Sequence, residues 1–166
     1  MSEFAAAEAG VRQLQARYID AVWRMDFSAV GDCFTDDAEW RVAAFKDGKT
    51  AASGVVDVVI KGRANCVEFF RDSCGPFIRI YMTLQTPILK VNGDTAIGRT
   101  YVTERNARKD KEPFFSTAIY YDRFVRQGDR WRYAIHHFQL QFMGAPDMTG
   151  QFMDAKDYGP PFGMPA

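Results

Sequence analysis

The N-terminal part of the sequence has apolar residues at the spacing that is typical of helices. Between Glu3 and Met25 they recur at steps of three and four, as on one face of an amphipathic helix: Val11, Leu14, Tyr18, Ala21, Val22 and Met25. A short helix is predicted over Phe27–Phe34, with Asp26 as its N-cap. A third helix is predicted from Gly62 to Cys74, because Gly75 and Pro76 follow it.

The remaining segments are rich in β-branched and aromatic residues and have the pattern of strands. Six β segments are predicted, at Glu39–Phe45, Gly54–Ile60, Phe77–Val91, Thr95–Ala107 and the two arms of a hairpin. Turns are predicted at Asp47-Gly48 and at Asn92-Gly93-Asp94. Pro87 cannot donate a hydrogen bond to a neighbouring strand, so it marks a bulge or an edge within its segment.

The hairpin, Phe114 to Phe142, turns at Gln127-Gly128-Asp129 and has apolar side chains on both faces of each arm. Asp122, His136 and His137 interrupt this pattern, and burying such groups is costly without partners. Either they lie near strand ends in water, or they line a pocket. The two histidines are adjacent, so on a strand they point to opposite faces.

Three helices followed by a strongly curved antiparallel sheet predict an α+β fold, a cone with an internal pocket. We assign residues 1–143 to one domain and residues 144–166, rich in proline and glycine, to an irregular tail. The charged run from Arg105 to Glu112 is expected to be a solvated loop.

The 166-residue chain has 21 basic and 21 acidic residues, so no net field attracts nucleic acid or an anionic membrane. Three cysteines without metal-ligand spacing predict neither a disulfide framework nor a metal site, and they favour a reducing, cytoplasmic location. No signal pattern or apolar run of about 20 residues is present, so we expect no membrane association. The sequence also lacks a glycine-rich phosphate loop, and we expect no cofactor. A small molecule is the expected partner.

Two segments resemble a known family. The run Arg17-Tyr18-Ile-Asp-Ala-Val-Trp23-Arg-Met-Asp26, continuing through Cys33-Phe34-Thr-Asp36-Asp37 to Trp40, is similar to the SnoaL-like branch of the nuclear transport factor 2-like superfamily. The run from Tyr120-Tyr-Asp122 to Trp131 is similar to its second signature. The resemblance covers about residues 8–142 and implies the cone fold, but it does not specify an activity, because this superfamily includes isomerases, dehydratases, cyclases and proteins without known catalysis.

The resemblance also indicates which chemistry is absent. Several enzymes of this fold use an Asp on the first helix to orient a strand His that removes a proton. Alignment on the Phe34-Thr-Asp36-Asp37 motif and on the Asn92-Gly93-Asp94 turn places Trp23 at the Asp position and Met82 at the His position. Neither side chain exchanges protons, so the resemblance implies that the usual Asp–His pair is missing.

Four other polar residues match functional positions of the superfamily. The resemblance implies that Tyr18 donates a hydrogen bond to a substrate oxygen, that Glu104 is an acid, that Asp122 is a second donor and that His136 occupies a pocket position. If the protein is an enzyme, we expect His136 to move the proton. Tyr18 could equally belong to the core, Glu104 to a surface ion pair and Asp122 to a strand end. Five residues are expected to form the wall of the substrate pocket: Trp23, Trp40, Met82, Tyr120 and Phe138.

Two functions remain open at this point. The first is a cofactor-free isomerase, dehydratase or cyclase that acts on a small hydrophobic cyclic molecule by proton transfer. The second is a non-catalytic ligand-binding or accessory dimeric module, which the loss of the Asp–His pair favours.

The apolar residues on both faces of the hairpin predict a homodimer through the sheet, because large apolar patches rarely stay exposed on monomers. Light scattering at micromolar concentration should give the mass of a dimer. A monomer at that concentration would contradict the prediction.

Overall fold

The computed structural model describes residues 2–45, 54–109, 111–147 and 150–152. The helices are α1 (Glu3–Trp23), α2 (Phe27–Gly31) and α3 (Arg63–Cys74). The strands are β1 (Phe34–Phe45), β2 (Val55–Lys61), β3 (Phe77–Leu84), β4 (Ile88–Asn92), β5 (Thr95–Arg108), β6 (Phe114–Gln127), β7 (Arg130–Gly144) and β8 (Gly150–Phe152). Within the described part of the chain no helix is both long and apolar enough to cross a membrane.

The strands form one curved sheet in the order β2-β1-β7-β6-β5-β3, with β4 also paired to β5 and β8 to β7. The α+β fold class predicted from the sequence is confirmed. One detail differs, because β1 runs parallel to β7 and the sheet is therefore mixed rather than wholly antiparallel. We call the face that packs against α1 and α3 the inner face, and the opposite one the outer face.

The first helix closes the inner face. Ser2 caps its start by accepting a hydrogen bond from the amide of Ala5 (3.2 Å). Its predicted apolar stripe is buried, with Val11, Leu14, Tyr18 and Val22 all inaccessible to solvent. On the sheet side, the amide of Gln15 donates to the hydroxyl of Thr100 (3.0 Å), so a buried polar contact fixes the helix on β5.

The hairpin of β6 and β7 forms as predicted, with Gly128 in the left-handed conformation (φ 64°) at its two-residue turn. Its pairing changes register between Arg123 and Phe124, which lie opposite Ile135 and Tyr133. The second arm therefore has one extra residue at this bulge. As a consequence Tyr133 and His136, three positions apart, both reach the inner face.

Several predicted boundaries were wrong. The second helix ends at Gly31 and β1 already begins at Phe34, so Asp36 and Asp37 lie within the strand. The segment around Pro87 is two strands, with a break at 85–87, that pair with successive halves of β5.

The loop and tail predictions also need correction. The charged run is not all loop, because its first four residues, 105–108, belong to β5. The expected irregular tail contains β8, which pairs with the end of β7. Residues 153–166 and the predicted turn at Asp47-Gly48 lie outside the described residues.

Gly10 allows close packing of α1 on the sheet, because a Cβ at this position would overlap the indole ring of Trp131. Alanine is the better helix former by about 1 kcal/mol, so propensity alone predicts that Gly10→Ala stabilises the protein. We expect the overlap to dominate, at about 1–3 kcal/mol, and to lower the free energy of unfolding in urea. Ala9→Gly, at an exposed neighbouring position, measures how much helix propensity alone changes the free energy of unfolding. A more stable Gly10→Ala protein would contradict the packing of Trp131 on the helix.

Candidate functional site

Asp122 and His136 lie directly opposite each other on β6 and β7. Both side chains are on the inner face and are 0% exposed, and Nδ1 of His136 is 2.7 Å from Oδ1 of Asp122. The alternative that these groups stay in water at strand ends is therefore wrong. The structure also separates the two histidines, since His136 faces inward whereas His137 lies on the outer face beside Tyr121.

The imidazole of His136 is enclosed by aromatic rings. Tyr120 stacks on it at a centroid distance of 4.0 Å and an interplanar angle of 24°. The other rings around it, with centroid distances, are those of Tyr133 (4.4 Å), Tyr18 (5.1 Å), Trp40 (5.3 Å) and Phe34 (5.8 Å). This shell excludes water from the Asp122–His136 pair and fixes the plane of the imidazole.

Five polar atoms in this cluster are buried and have no hydrogen-bond partner within the described residues: Nε2 of His136, Oδ2 of Asp122, Nε1 of Trp40 and the hydroxyls of Tyr18 and Tyr133. Buried polar atoms in proteins are normally paired, and each exception needs an explanation. Nε2 belongs to the imidazole and the other four atoms are on residues that contact it, so a ligand with polar groups of its own could form hydrogen bonds with several of them at once. We call this set of residues the His136 cluster.

Burial controls the ionisation of the His136 cluster. It raises the pKa of Asp122, while the charge and hydrogen bond of His136 and the amide of His137 lower it in part. Burial also raises the pKa of Tyr18 well above its ordinary value, as it does for Tyr133. The neighbouring Tyr120 side chain lowers the pKa of Tyr18 in part, although the Tyr18 hydroxyl forms no well-aligned hydrogen bond. Both tyrosines therefore stay protonated and can act only as neutral donors or acceptors.

Most of the predicted pocket wall lies on the inner face. Trp40 and Tyr120 contact His136, and Phe138 packs on Tyr120 at 5.6 Å between centroids. Met82 is buried on β3, farther from the pair.

Trp23 must be removed from the predicted wall. It is 44% exposed, and its ring packs on Tyr81, which projects from the outer face. Its Nε1 donates to the backbone carbonyl of Met82 (2.9 Å), so the hydrogen bond to the edge strand holds the indole outside the cone.

Glu104 is on the inner face but is not beside Asp122. It lies opposite Ser116, whereas Asp122 lies opposite Gly98, six residues away on β5, or roughly 20 Å along the strand. The residue as a whole is partly exposed, and its carboxylate accepts a hydrogen bond from the hydroxyl of Ser116 (2.9 Å). This environment differs from the surface ion pair that the sequence left open, and burial raises the pKa of Glu104.

Sequence reasoning missed Tyr133 and Phe34, which contact His136, and did not identify the Trp40 indole as a donor. Strict alternation along β7 would put Tyr133 and His136 on opposite faces, and only the bulge brings them together. Phe34 was assigned to a helix. No sequence signal identifies the bulge in advance, apart from the aromatic character of Tyr133 itself.

Neither metal nor thiolate chemistry is supported by the described residues. No group of three or more His, Cys, Asp and Glu side chains within them could hold a metal ion. Burial raises the pKa of Cys33 to about 11 and that of Cys74 to about 12, so both thiols remain protonated near neutral pH.

A family model described as a SnoaL-like domain matches residues 3–137 of the chain. No curated protein matches this chain significantly. Three solved structures illustrate its similarity in fold. Hexachlorocyclohexane dehydrochlorinase LinA-type3 from Novosphingobium barchaimii has a TM-score of 0.70 at 15% identity, over 91% of this chain and 97% of that chain.

A scytalone dehydratase-like protein from Novosphingobium aromaticivorans has a TM-score of 0.72 at 11% identity, over 92% and 97% of the two chains. A protein of unknown function with a cystatin-like fold from Nostoc punctiforme has a TM-score of 0.63 at 17% identity, over 86% and 93%. At these identities the structural likeness establishes the fold alone, and it confirms the predicted one.

Tyr18→Phe should separate a ligand-binding role from a packing role. Removing a buried hydroxyl without a partner should leave the free energy of unfolding unchanged or raise it by up to about 1 kcal/mol, because an unpaired polar group is costly to bury. The same change should weaken the binding of cyclic ketones in a thermal-shift titration. Tyr101→Phe, at an exposed position, should alter neither quantity. A clear loss of stability in Tyr18→Phe would mean that the protein itself satisfies the hydroxyl.

Proposed function

Because this chain belongs to the SnoaL-like domain family, we propose that it is a cofactor-free isomerase or lyase that moves a proton on a small hydrophobic cyclic molecule. The observation that carries the proposal is the buried hydrogen bond between Asp122 and His136, with Nε2 of the imidazole left without a partner in the His136 cluster. The proposal differs from the family pattern in the position of the pair, since β6 and β7 supply both residues.

His136 is the base in this proposal. The chain contains two histidines, and the other one, His137, is on the outer face. Asp122 accepts a hydrogen bond from Nδ1–H of His136, and this tautomer leaves a lone pair on Nε2. When Nε2 removes a proton from a substrate carbon, the carboxylate of Asp122 stabilises the imidazolium that forms.

Tyr18 and Trp40 supply the complementary donors. Removal of a proton next to a carbonyl places negative charge on its oxygen, and donors that are already oriented in a dry site stabilise that charge. The Tyr18 hydroxyl and the Trp40 indole N–H are both buried and have no well-aligned hydrogen-bond partner in the part of the chain that the structure describes, and both rings contact His136. The aromatic character of the surroundings favours a hydrophobic cyclic ligand.

Hydrogen exchange tests the proposal without knowledge of the natural substrate. We expect the protein to exchange the protons next to the carbonyl of 1-tetralone for deuterium in D₂O, as followed by NMR. His136→Ala should slow the catalysed exchange by at least about 10²-fold, in line with the usual contribution of a general base. Met82→Ala should alter mainly the affinity for the ketone.

His137→Ala is the matched control, because it removes the other histidine, which lies on the outer face. This variant should catalyse the exchange at the same rate as the wild type. Full exchange in His136→Ala, or its loss in His137→Ala, would contradict the assignment of the base. Saturable binding of ketones without exchange would instead support the non-catalytic binding module that the sequence left open.

A further inference from the structure

An open groove lies on the outer face of the sheet, at the edge that β3 forms. Its volume is about 390 Å³, within the usual range of small-molecule sites, about 300–1,000 Å³. Four elements, α1, β3, β5 and β6, supply its lining residues: Trp23, Tyr81, Thr83, Thr103, Arg105 and Phe115. Tyr81 and Arg105 alternate with Met82 and Glu104, which are on the inner face. The groove therefore opens on the side of the sheet opposite to the His136 cluster.

Two aromatic rings form one wall of this groove. Trp23 and Tyr81 pack edge to face, with centroids 4.8 Å apart and an interplanar angle of 66°, and each residue is 44% exposed. The hydrogen bond from Nε1 of Trp23 to the carbonyl of Met82 fixes the indole in place. A ligand ring therefore meets a surface that is already ordered, and its binding costs little side-chain entropy.

The floor of the groove carries a positive charge. Arg105 lies between Tyr81 on β3 and Phe115 on β6, and it is paired directly with both. It is exposed, and in the part of the chain that the structure describes it forms no ion pair. The described residues that line the groove include no carboxylate, and the hydroxyls of Thr83 and Thr103 lie one level farther along the same two strands. An anion can therefore bind the guanidinium without displacing a carboxylate of the groove.

We propose that this groove binds an aromatic carboxylate. The ring of the ligand packs on Trp23 and Tyr81, and its two carboxylate oxygens accept paired hydrogen bonds from the planar guanidinium of Arg105. One guanidinium matches the single charge of a carboxylate, whereas an aryl phosphate carries almost two charges and calls for more cations. This site takes no part in the proposed proton transfer and does not depend on that proposal.

The exposed indole provides a direct test by NMR. Trp23 is accessible whereas the other two tryptophans, Trp40 and Trp131, are buried, so its N–H signal should respond to a ligand on the outer face. 2-Naphthoate, 2-naphthamide and cyclohexanecarboxylate would be titrated into ¹⁵N-labelled protein. We expect 2-naphthoate to shift this signal saturably and to bind about tenfold tighter than the other two, since one lacks the charge and the other lacks the aromatic ring. Equal affinity for the acid and its amide, or no saturable shift, would overturn the proposal.

Variants of arginine assign the preference for the carboxylate. Arg105→Gln should abolish the advantage of 2-naphthoate over 2-naphthamide, whereas Arg105→Lys, which keeps the charge but not the paired geometry, should retain part of it. Arg99→Gln is the matched control, because Arg99 is on the same face of β5, six residues or about 20 Å away, and it should behave as the wild type. A preference that survives in Arg105→Gln would refute the role of the guanidinium.

Removing one ring distinguishes a ligand from a second copy of the chain as the occupant of the groove. Tyr81→Thr should weaken the binding of 2-naphthoate by about threefold to tenfold, whereas Tyr101→Thr, at another exposed tyrosine of the outer face, should leave it unchanged. The molar mass of Tyr81→Thr by light scattering should equal that of the wild type. Conversion of a dimer into a monomer by this change would show that a second subunit covers the groove, and it would overturn the proposal.

Discussion

The hydrogen bond between Asp122 and His136 is the interaction around which the interior is organised. A fully buried carboxylate is expensive unless a partner compensates it, and the imidazole is that partner. The pair in turn requires both strands to hold their register. The surrounding rings keep water out, which strengthens the hydrogen bond and raises the cost of leaving either residue alone. Removing one partner of such a pair typically costs about 3–5 kcal/mol, so site and fold are coupled here.

Much of the fold follows from local sequence signals, but the site depends on details that such signals do not carry. Helix α1, helix α3 and the hairpin have strong periodicity, caps or turn glycines, and each forms close to its predicted boundaries. The helical period likewise placed Tyr18 in the interior. Tertiary pairing decides the rest. Phe34 is drawn from a predicted helix into β1 because it pairs beside Tyr133 on β7, and Trp23 turns outward because its indole N–H binds the edge strand.

The hydrogen bond from Trp23 to the carbonyl of Met82 lies where related enzymes are expected to have their Asp–His pair. The resemblance noted in the sequence places Trp23 and Met82 at the positions of the usual Asp–His pair, and in the structure the two residues are neighbours in space. Their contact is structural, since an indole N–H donating to a backbone carbonyl fastens the end of α1 to β3. The buried carboxylate and imidazole lie instead at the centre of the sheet, on β6 and β7. A SnoaL-like cone can therefore hold a buried carboxylate–imidazole pair on β6 and β7, while Trp23 and Met82 join α1 to β3.

The separation along the chain of the two paired residues has a consequence for folding and for evolution. Asp122 and His136 are 14 residues apart and belong to one hairpin, whereas Gln15 and Thr100, which fasten α1 to the sheet, are 85 residues apart. Contacts that are local in sequence close small loops and can form before distant ones. The two-residue turn at Gly128 sets which residues face each other across the hairpin, so a single-residue insertion there would separate the carboxylate from the imidazole. Length changes in the other loops leave that alignment intact, and those loops can vary without moving the pair.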